Sequence, residues 1–217
     1  MTAGEGINSS ITLEGSSSLV VDYFQYCLSS ALTFSILMLR GLKPEDSFRL
    51  VTRYGLKVYI SNEPQLTRYI QGIVQQLKIW VEENVVSRFI VAIISTETME
   101  TIERWQFNIQ VNGENGLPSA ENVPPADAEI IQKQTRDQIR SVLRQIVQSV
   151  SYLPELDPDF CTMKVLVIAD DTAEVPAAWV DDKACVILKG AEHVQLRSVS
   201  TLVHNVDAFV AYKYDPF

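Results

Sequence analysis

The sequence predicts an α+β fold with helices packed on one mainly antiparallel sheet. Apolar residues at helical spacing fall in three separate long stretches. Stretches that alternate with period two, or stay apolar for the length of a strand, gather as a pair in mid-chain and again at the end. The resulting order is helix, strand, helix, hairpin, helix, strand, long irregular segment, two strands, which does not repeat as βαβ units would.

Gly15 and Ser16 to Ser18 supply a turn and an N-cap for a nearly all-apolar helix over Leu19–Leu39, ended by Gly41 and Pro44. Within it Tyr23–Leu39 is 17 residues without a charge, the short limit for a membrane span. Gln25, Ser29, Ser30, Thr33 and Ser35 interrupt it, and Leu28, Ala31, Leu32, Ile36 and Leu39 recur at helical spacing, so a buried core helix is expected and no membrane span. Leu56, Val58 and Ile60 alternate as a short strand. Ser61 or Asn62 then caps a helix starting near Pro64, with Leu66, Tyr69, Ile70, Ile73, Leu77 and Trp80 on its apolar face.

Phe89–Ile94 is a continuous apolar run, which predicts a central strand covered on both faces. Across Ser95–Thr101 it forms a hairpin with Glu103–Val111, where Trp105, Phe107, Ile109 and Val111 alternate with Arg104, Gln106, Asn108 and Gln110. The Gly, Asn and Pro content of the stretch from Asn112 to Pro125 makes it a long connection within the fold. A third helix follows from about Asp127 to Val150, with Ile131, Ile139, Leu143, Ile146 and Val150 on one stripe, and Pro154 stops it. Met163–Ala169 is a further apolar strand. Asp170–Gly190 carries many acids and little periodicity, a length of irregular chain that is usually functional or mobile. Val194–Ser200 and Val206–Tyr214 close the chain as two strands.

Composition sets the function class. The 217 residues are 47% hydrophobic and 21% charged, and a chain of this size buries roughly 70% of its surface in one core. A net charge of -9, from 18 Lys plus Arg against 27 Asp plus Glu, argues against nucleic acid, whose phosphates need clustered cations. Proteins or peptides remain as partners. Cys27, Cys161 and Cys185 are an odd number and too far apart for CxxC chemistry, so a reducing compartment is expected. The segment from Met1 to Ser10 has neither basic residues nor an apolar stretch and reads as a short polar tail.

The search for catalytic groups finds little. His193 and His204 have no Cys, Glu or second His at ligand spacing, and no metal or cofactor is expected. Gly-rich phosphate loops and GxSxG are absent. Asp170 and Asp171 at the carboxyl end of an apolar strand are the one enzymatic candidate, for phosphotransfer. Aspartate nucleophiles of that type need two acids separated by one residue, and these are adjacent.

Arg140-Ser141-Val142-Leu143-Arg144-Gln145-Ile146, followed by Val150-Ser151-Tyr152-Leu153-Pro154, carries a resemblance to a known family. Ile11-Thr12-Leu13-Glu14-Gly15-Ser16, Tyr54-Gly55-Leu56, Glu103-Arg104-Trp105-Gln106-Phe107, Val175-Pro176 with Trp179, Leu196-Arg197-Ser198, His204 and Val210-Ala211-Tyr212-Lys213 match it in order. The chain resembles the mitotic-arrest-deficient-two family of spindle-checkpoint HORMA-domain proteins. That implies a HORMA domain over residues 11–214 after a tail of residues 1–10, with three packed helices and a mobile C-terminal β safety belt over 170–214. Between Ser30 and Arg40 the chain holds several residues more than the family spacing, which displaces one end of the first helix relative to the other.

The resemblance implies an adaptor without catalytic activity that adopts an open and a closed fold of one sequence. In the closed fold the belt traps a partner peptide, which adds as a strand to Val165, Leu166, Val167 and Ile168 near Trp179. Arg144, Gln145, Tyr152 and Arg197 match the surface through which open and closed molecules associate. Leu13 matches a residue favouring the open form, and Arg40 with Glu103 an ion pair of the closed one. Implied partners are the activator subunit of the anaphase-promoting complex, a coiled-coil kinetochore receptor, a second copy in the other conformer, and an AAA+ remodelling ATPase with its own HORMA adaptor. The implied locations are nucleus, kinetochore and cytoplasm. A HORMA adaptor of another pathway, translesion synthesis or autophagy, is the alternative.

Overall fold

A computed structural model of the chain describes residues 45–53, 56–111, 125–149, 151–182, 186–187, 190–201 and 204–214. The predicted helix over Leu19–Leu39, with Leu13 and Arg40 on either side, lies outside the described residues.

The sheet is built around the apolar run that no polar residue interrupts. Strand β3 (Val86–Ser95) pairs antiparallel with β4 (Thr101–Val111) on one side and with β5 (Cys161–Ala169) on the other, so Phe89 stands between Phe107 and Val167. Alternate residues serve two cores. Phe89, Val91 and Ile93 join Trp105, Phe107 and Ile109 in the core that the helices cover. Ile90, Ala92 and Ile94 turn to the opposite face, with Leu166. Burial on both faces is why this strand reads as continuous rather than alternating.

Two earlier strands, β1 (Phe48–Arg53) and β2 (Leu56–Ser61), form a separate antiparallel pair with Phe48 opposite Ser61. The first of these was not expected. Helix α1 (Pro64–Glu82) starts with Pro at its first position, where the missing N–H costs nothing. Its N-cap is Glu63 rather than Ser61 or Asn62, and no side chain caps it; the Ser61 hydroxyl instead accepts the Glu63 N–H at 3.0 Å. Ile70, Ile73, Val74, Leu77, Trp80 and Val81 are buried. Tyr69, expected on that face, is 48% exposed, because the buried stripe continues through Val74 and Val81 and leaves position 69 at its margin. The helix ends in a Schellman motif: Asn84, at φ 57°, donates to the Val81 carbonyl, and Val85 to that of Trp80.

Helix α2 (Pro125–Ser149) buries Thr135, Ile139, Val142, Leu143, Ile146 and Ser149. It stops before Pro154, through turns in which Ser151 and Tyr152 donate to the Gln148 and Ser149 carbonyls. The C-terminal strands then extend the sheet beyond β4. Strand β8 (His204–Lys213) pairs with β4 from Glu103 opposite Tyr212 to Val111 opposite His204. Its outer side carries β6 (Ala191–Gln195) and the two-residue β7 (Val199–Ser200). The order is β5-β3-β4-β8-β6. The expected strand over Val194–Ser200 is therefore broken: Gln195 faces Phe209 and Val199 faces Val206, so one strand has an extra residue, a β-bulge around Leu196 to Ser198. Val111, expected on the apolar face, is 49% exposed at the end of β4, and Gln106 is buried with its amide donated to Asn108.

His204 lies at the start of β8, 1% exposed. Its Nε2 is 3.3 Å from the Asn84 amide oxygen, which ties the C-terminal strand to the end of α1. Burial lowers its pKa, and a hydrogen bond with the Val81 backbone partly opposes that.

Leu143, 1% exposed where α2 meets the sheet, should cost about 2–5 kcal/mol on truncation to Ala. The half-exposed Val147, on the same helix, should cost far less, and urea unfolding of both variants measures the difference. His204 holds its proton less tightly folded than unfolded, so it favours the native state above its ordinary pKa of about 6.5 and weakens it as the pH falls through that value. Urea midpoints between pH 5 and 8 should fall at the acid end, and less steeply in His204→Gln.

Candidate peptide-binding edge

Sheet edges present backbone groups that a further strand can use, and β5 forms one edge of this sheet. In an antiparallel ladder alternate residues turn both N–H and C=O away from the neighbour. Among the described residues, no strand pairs with the outer side of β5. Its side chains divide as the pleat requires. Leu166 and Ile168 belong to the face opposite the helices, while Met163, Val165 and Val167 pack against the helix-side core. Four of the five predicted peptide-contacting residues, Val165 to Ile168, thus lie on one strand whose outer side pairs with no described strand.

The chain leaving β5 crosses the sheet. It departs at Asp170, whose N–H bonds the Val85 carbonyl at 2.8 Å, and returns at Gly190, φ 66°, to enter β6 at the far edge. Those edges are four strand spacings apart, about 19 Å. The described part of the crossing forms no helix or strand, as expected. Two attachments hold it near α1: the Trp80 indole donates to the Glu174 carbonyl at 3.0 Å, and Trp179 packs edge-on against Trp80 with centroids 5.0 Å apart. Trp179 therefore sits in the strap against α1. A third attachment pairs Asp182 with Lys164 on β5, both about 40% exposed, a contact worth at most about 1 kcal/mol. Asp170, Asp171, Glu174, Asp181 and Asp182 are all exposed.

The second group of predicted residues lies across the molecule, where α2 meets the β6–β7 bulge. Arg144 is exposed on α2, and Tyr152 is half-exposed in the turn after it. Gln145 and Arg197 are brought together: the Gln145 Oε1 accepts the Arg197 backbone N–H at 2.8 Å, and the Arg197 guanidinium donates to the Ser141 hydroxyl at 2.8 Å. Glu103 is 1% exposed and accepts the Trp105 indole N–H at 2.7 Å; Arg40 lies outside the described residues. Residue patterns alone did not show the bulge, nor the roles of Thr135, Gln138 and Ser141 beside it. Polar residues at positions 135, 138, 141 and 145 of one helix were the available signal, and they read equally as a solvated face.

A family model for the HORMA domain matches residues 16–204. The mitotic spindle checkpoint component mad2 of Schizosaccharomyces pombe is 37% identical over 210 residues, 97% of this chain and 98% of that protein. The human mitotic spindle assembly checkpoint protein MAD2A is 34% identical over 203 residues, 94% of this chain and 93% of that one. Among solved structures, a chain in the crystal structure of the mitotic checkpoint complex superimposes with a TM-score of 0.78 at 35% identity, covering 94% of this chain and 98% of the other. Caenorhabditis elegans HTP-2 bound to the HIM-3 closure motif gives 0.71 over 94% of this chain and 93% of the other, and at 14% identity it speaks for the fold alone. The chain belongs to the HORMA-domain family, within its MAD2 group of spindle-checkpoint proteins.

Proposed function

We propose that this protein is a spindle-checkpoint adaptor that captures a peptide of the anaphase-promoting complex activator as an added strand on β5 and holds it under the strap. The observation that carries the reading is the sheet order. The C-terminal strands lie on β4, which leaves the outer side of β5 free of any described strand while the strap spans from that edge to the opposite one. That is the closed arrangement. In the open one the C-terminal strands would occupy the edge that the peptide takes, so capture and refolding are one event.

Arg144, Gln145, Tyr152 and Arg197 form a second surface, on the far side from β5, for association of closed with open molecules. Leu13 and the Arg40–Glu103 pair bias the open and closed states respectively. A coiled-coil kinetochore receptor would supply a peptide of the same kind, and an AAA+ ATPase with its HORMA adaptor would reopen the closed form. Work at kinetochores, with exchange through nucleus and cytoplasm, follows from those partners. No catalytic step is needed: Asp170 and Asp171 are exposed strand-end acids that suit a segment obliged to detach.

A fluorescent peptide from the activator's checkpoint-binding segment should bind slowly, because the strap must open and re-form around it, and should dissociate over hours. Stopped-flow and competition measurements check this; rapid, fully reversible exchange would sink the strap mechanism. Arg144→Ala should abolish the mixed dimer on gel filtration while leaving capture of the peptide within twofold of the parent.

A further inference from the structure

The two outer edges of the sheet are treated differently, and on the second the short strand β7 is covered by side chains. Among the described strands β7 is the outermost beside β8 at that end, so no described strand pairs with its outward N–H and C=O groups. Helix α2 fills the role. Gln138 Oε1 accepts the Ser200 N–H at 2.8 Å, and the Thr135 hydroxyl donates to the Ser200 carbonyl at 3.0 Å. One bulge away, Gln145 accepts the Arg197 N–H. From residue 138 to 145 the helix rises about 10.5 Å, and the three residue steps from 197 to 200 can span up to about 10 Å. The two spacings match, so the helix carries polar groups at the interval the docked strand needs.

We infer that Thr135 and Gln138 are positioning residues for peptide capture, a latch that holds residues 197–200 on α2 in the strap-crossed state and so sets how long a captured peptide stays. The inference rests on the adaptor reading above. Thr135 is 1% exposed, so its hydroxyl is committed to Ser200 rather than to solvent. Gln138 stands on the same stripe as Gln145 but two turns away, clear of the Arg144 to Tyr152 surface. Beyond Ser200 the turn closes on itself: the Ser200 hydroxyl donates to the Asn205 amide oxygen, and Thr201 and His204 exchange backbone and hydroxyl bonds. The latch therefore grips a segment that is already shaped. If the C-terminal strands leave β4, the Ser200 and Arg197 amides lose these partners together.

The test uses the full chain and the fluorescent activator peptide. Gln138→Ala keeps a strong helix former at that position, and Thr135→Val keeps the buried shape. Each should release the peptide about fivefold faster than the parent, the loss expected for one hydrogen bond, and the Ser200 amide should exchange correspondingly faster by NMR. Gln138→Glu should restore both values, since its carboxylate still accepts the Ser200 N–H, and Thr135→Ser should restore those of Thr135→Val; a merely structural role would show no such rescue. Parental release and parental Ser200 exchange in Gln138→Ala and Thr135→Val would overturn the latch. Failure of the parent to capture the peptide would overturn the adaptor reading, and Ser200 exchange would still decide the latch.

Discussion

An open sheet must do something with the backbone groups on its two outermost strands, and that requirement organises this protein. The apolar continuity of β3 commits the chain to a sheet with strands on both sides, since Phe89, Ile90, Val91, Ala92 and Ile93 are all at most 1% exposed. Closing such a sheet into a barrel would remove its edges, but the order β5-β3-β4-β8-β6 is open. At one edge, helix side chains stand in for a strand beside the two-residue β7 and at Arg197. The other, β5, carries no further strand among the described residues, and it is the edge on which the proposed peptide would complete the sheet.

The strap follows from the same geometry. A peptide added to β5 alone would be held by ladder bonds with modest net value, because water competes for each of them. A chain that passes from β5 across to β6 would enclose the proposed strand, so that its release would require detaching covalently continuous chain rather than breaking a few contacts. Among the described residues, attachments on the way include an indole to carbonyl bond, an aromatic contact and an exposed ion pair. Stronger fastening would slow the opening that capture needs. The five acids Asp170, Asp171, Glu174, Asp181 and Asp182 are exposed and would stay solvated if the strap detached as proposed.

Much of this was legible in the sequence, for a physical reason. Helix α1, the β3–β4 hairpin and β5 bury continuous apolar stripes, and burial writes itself into residue type. Strand β1 was missed because its Phe48-Arg49-Leu50-Val51-Thr52-Arg53 pattern buries one large residue, Phe48, and exposes Leu50, so its pairing with β2 leaves no clear period. The sequence puts the N-cap at Ser61 or Asn62 rather than Glu63 because Ser61 has the chemistry of a cap and uses it two residues early, on the Glu63 N–H. The bulge and the polar stripe of α2 were invisible because a glutamine bonded to backbone and a glutamine bonded to water look alike in sequence. The family motif found Gln145 and Arg197 but could not say that they bond one another within a single molecule.

That internal bond changes how the association surface must be understood. Gln145 supplies its oxygen to the Arg197 backbone, and Arg197 supplies its guanidinium to Ser141, so both side chains are partly committed before any partner arrives. Arg144, which is exposed on the neighbouring position, carries no such bond to residues 196–200. The surface is composite: its helix half persists whatever the C-terminal strands do, whereas Arg197 reaches it when β6, β7 and β8 are docked on β4. A partner that touches both halves binds the docked arrangement better than the undocked one, and by linkage its binding must favour docking by the same factor. If self-association uses this surface as proposed, it would be coupled to docking of the C-terminal strands through residues 197–200 without any pathway through the core.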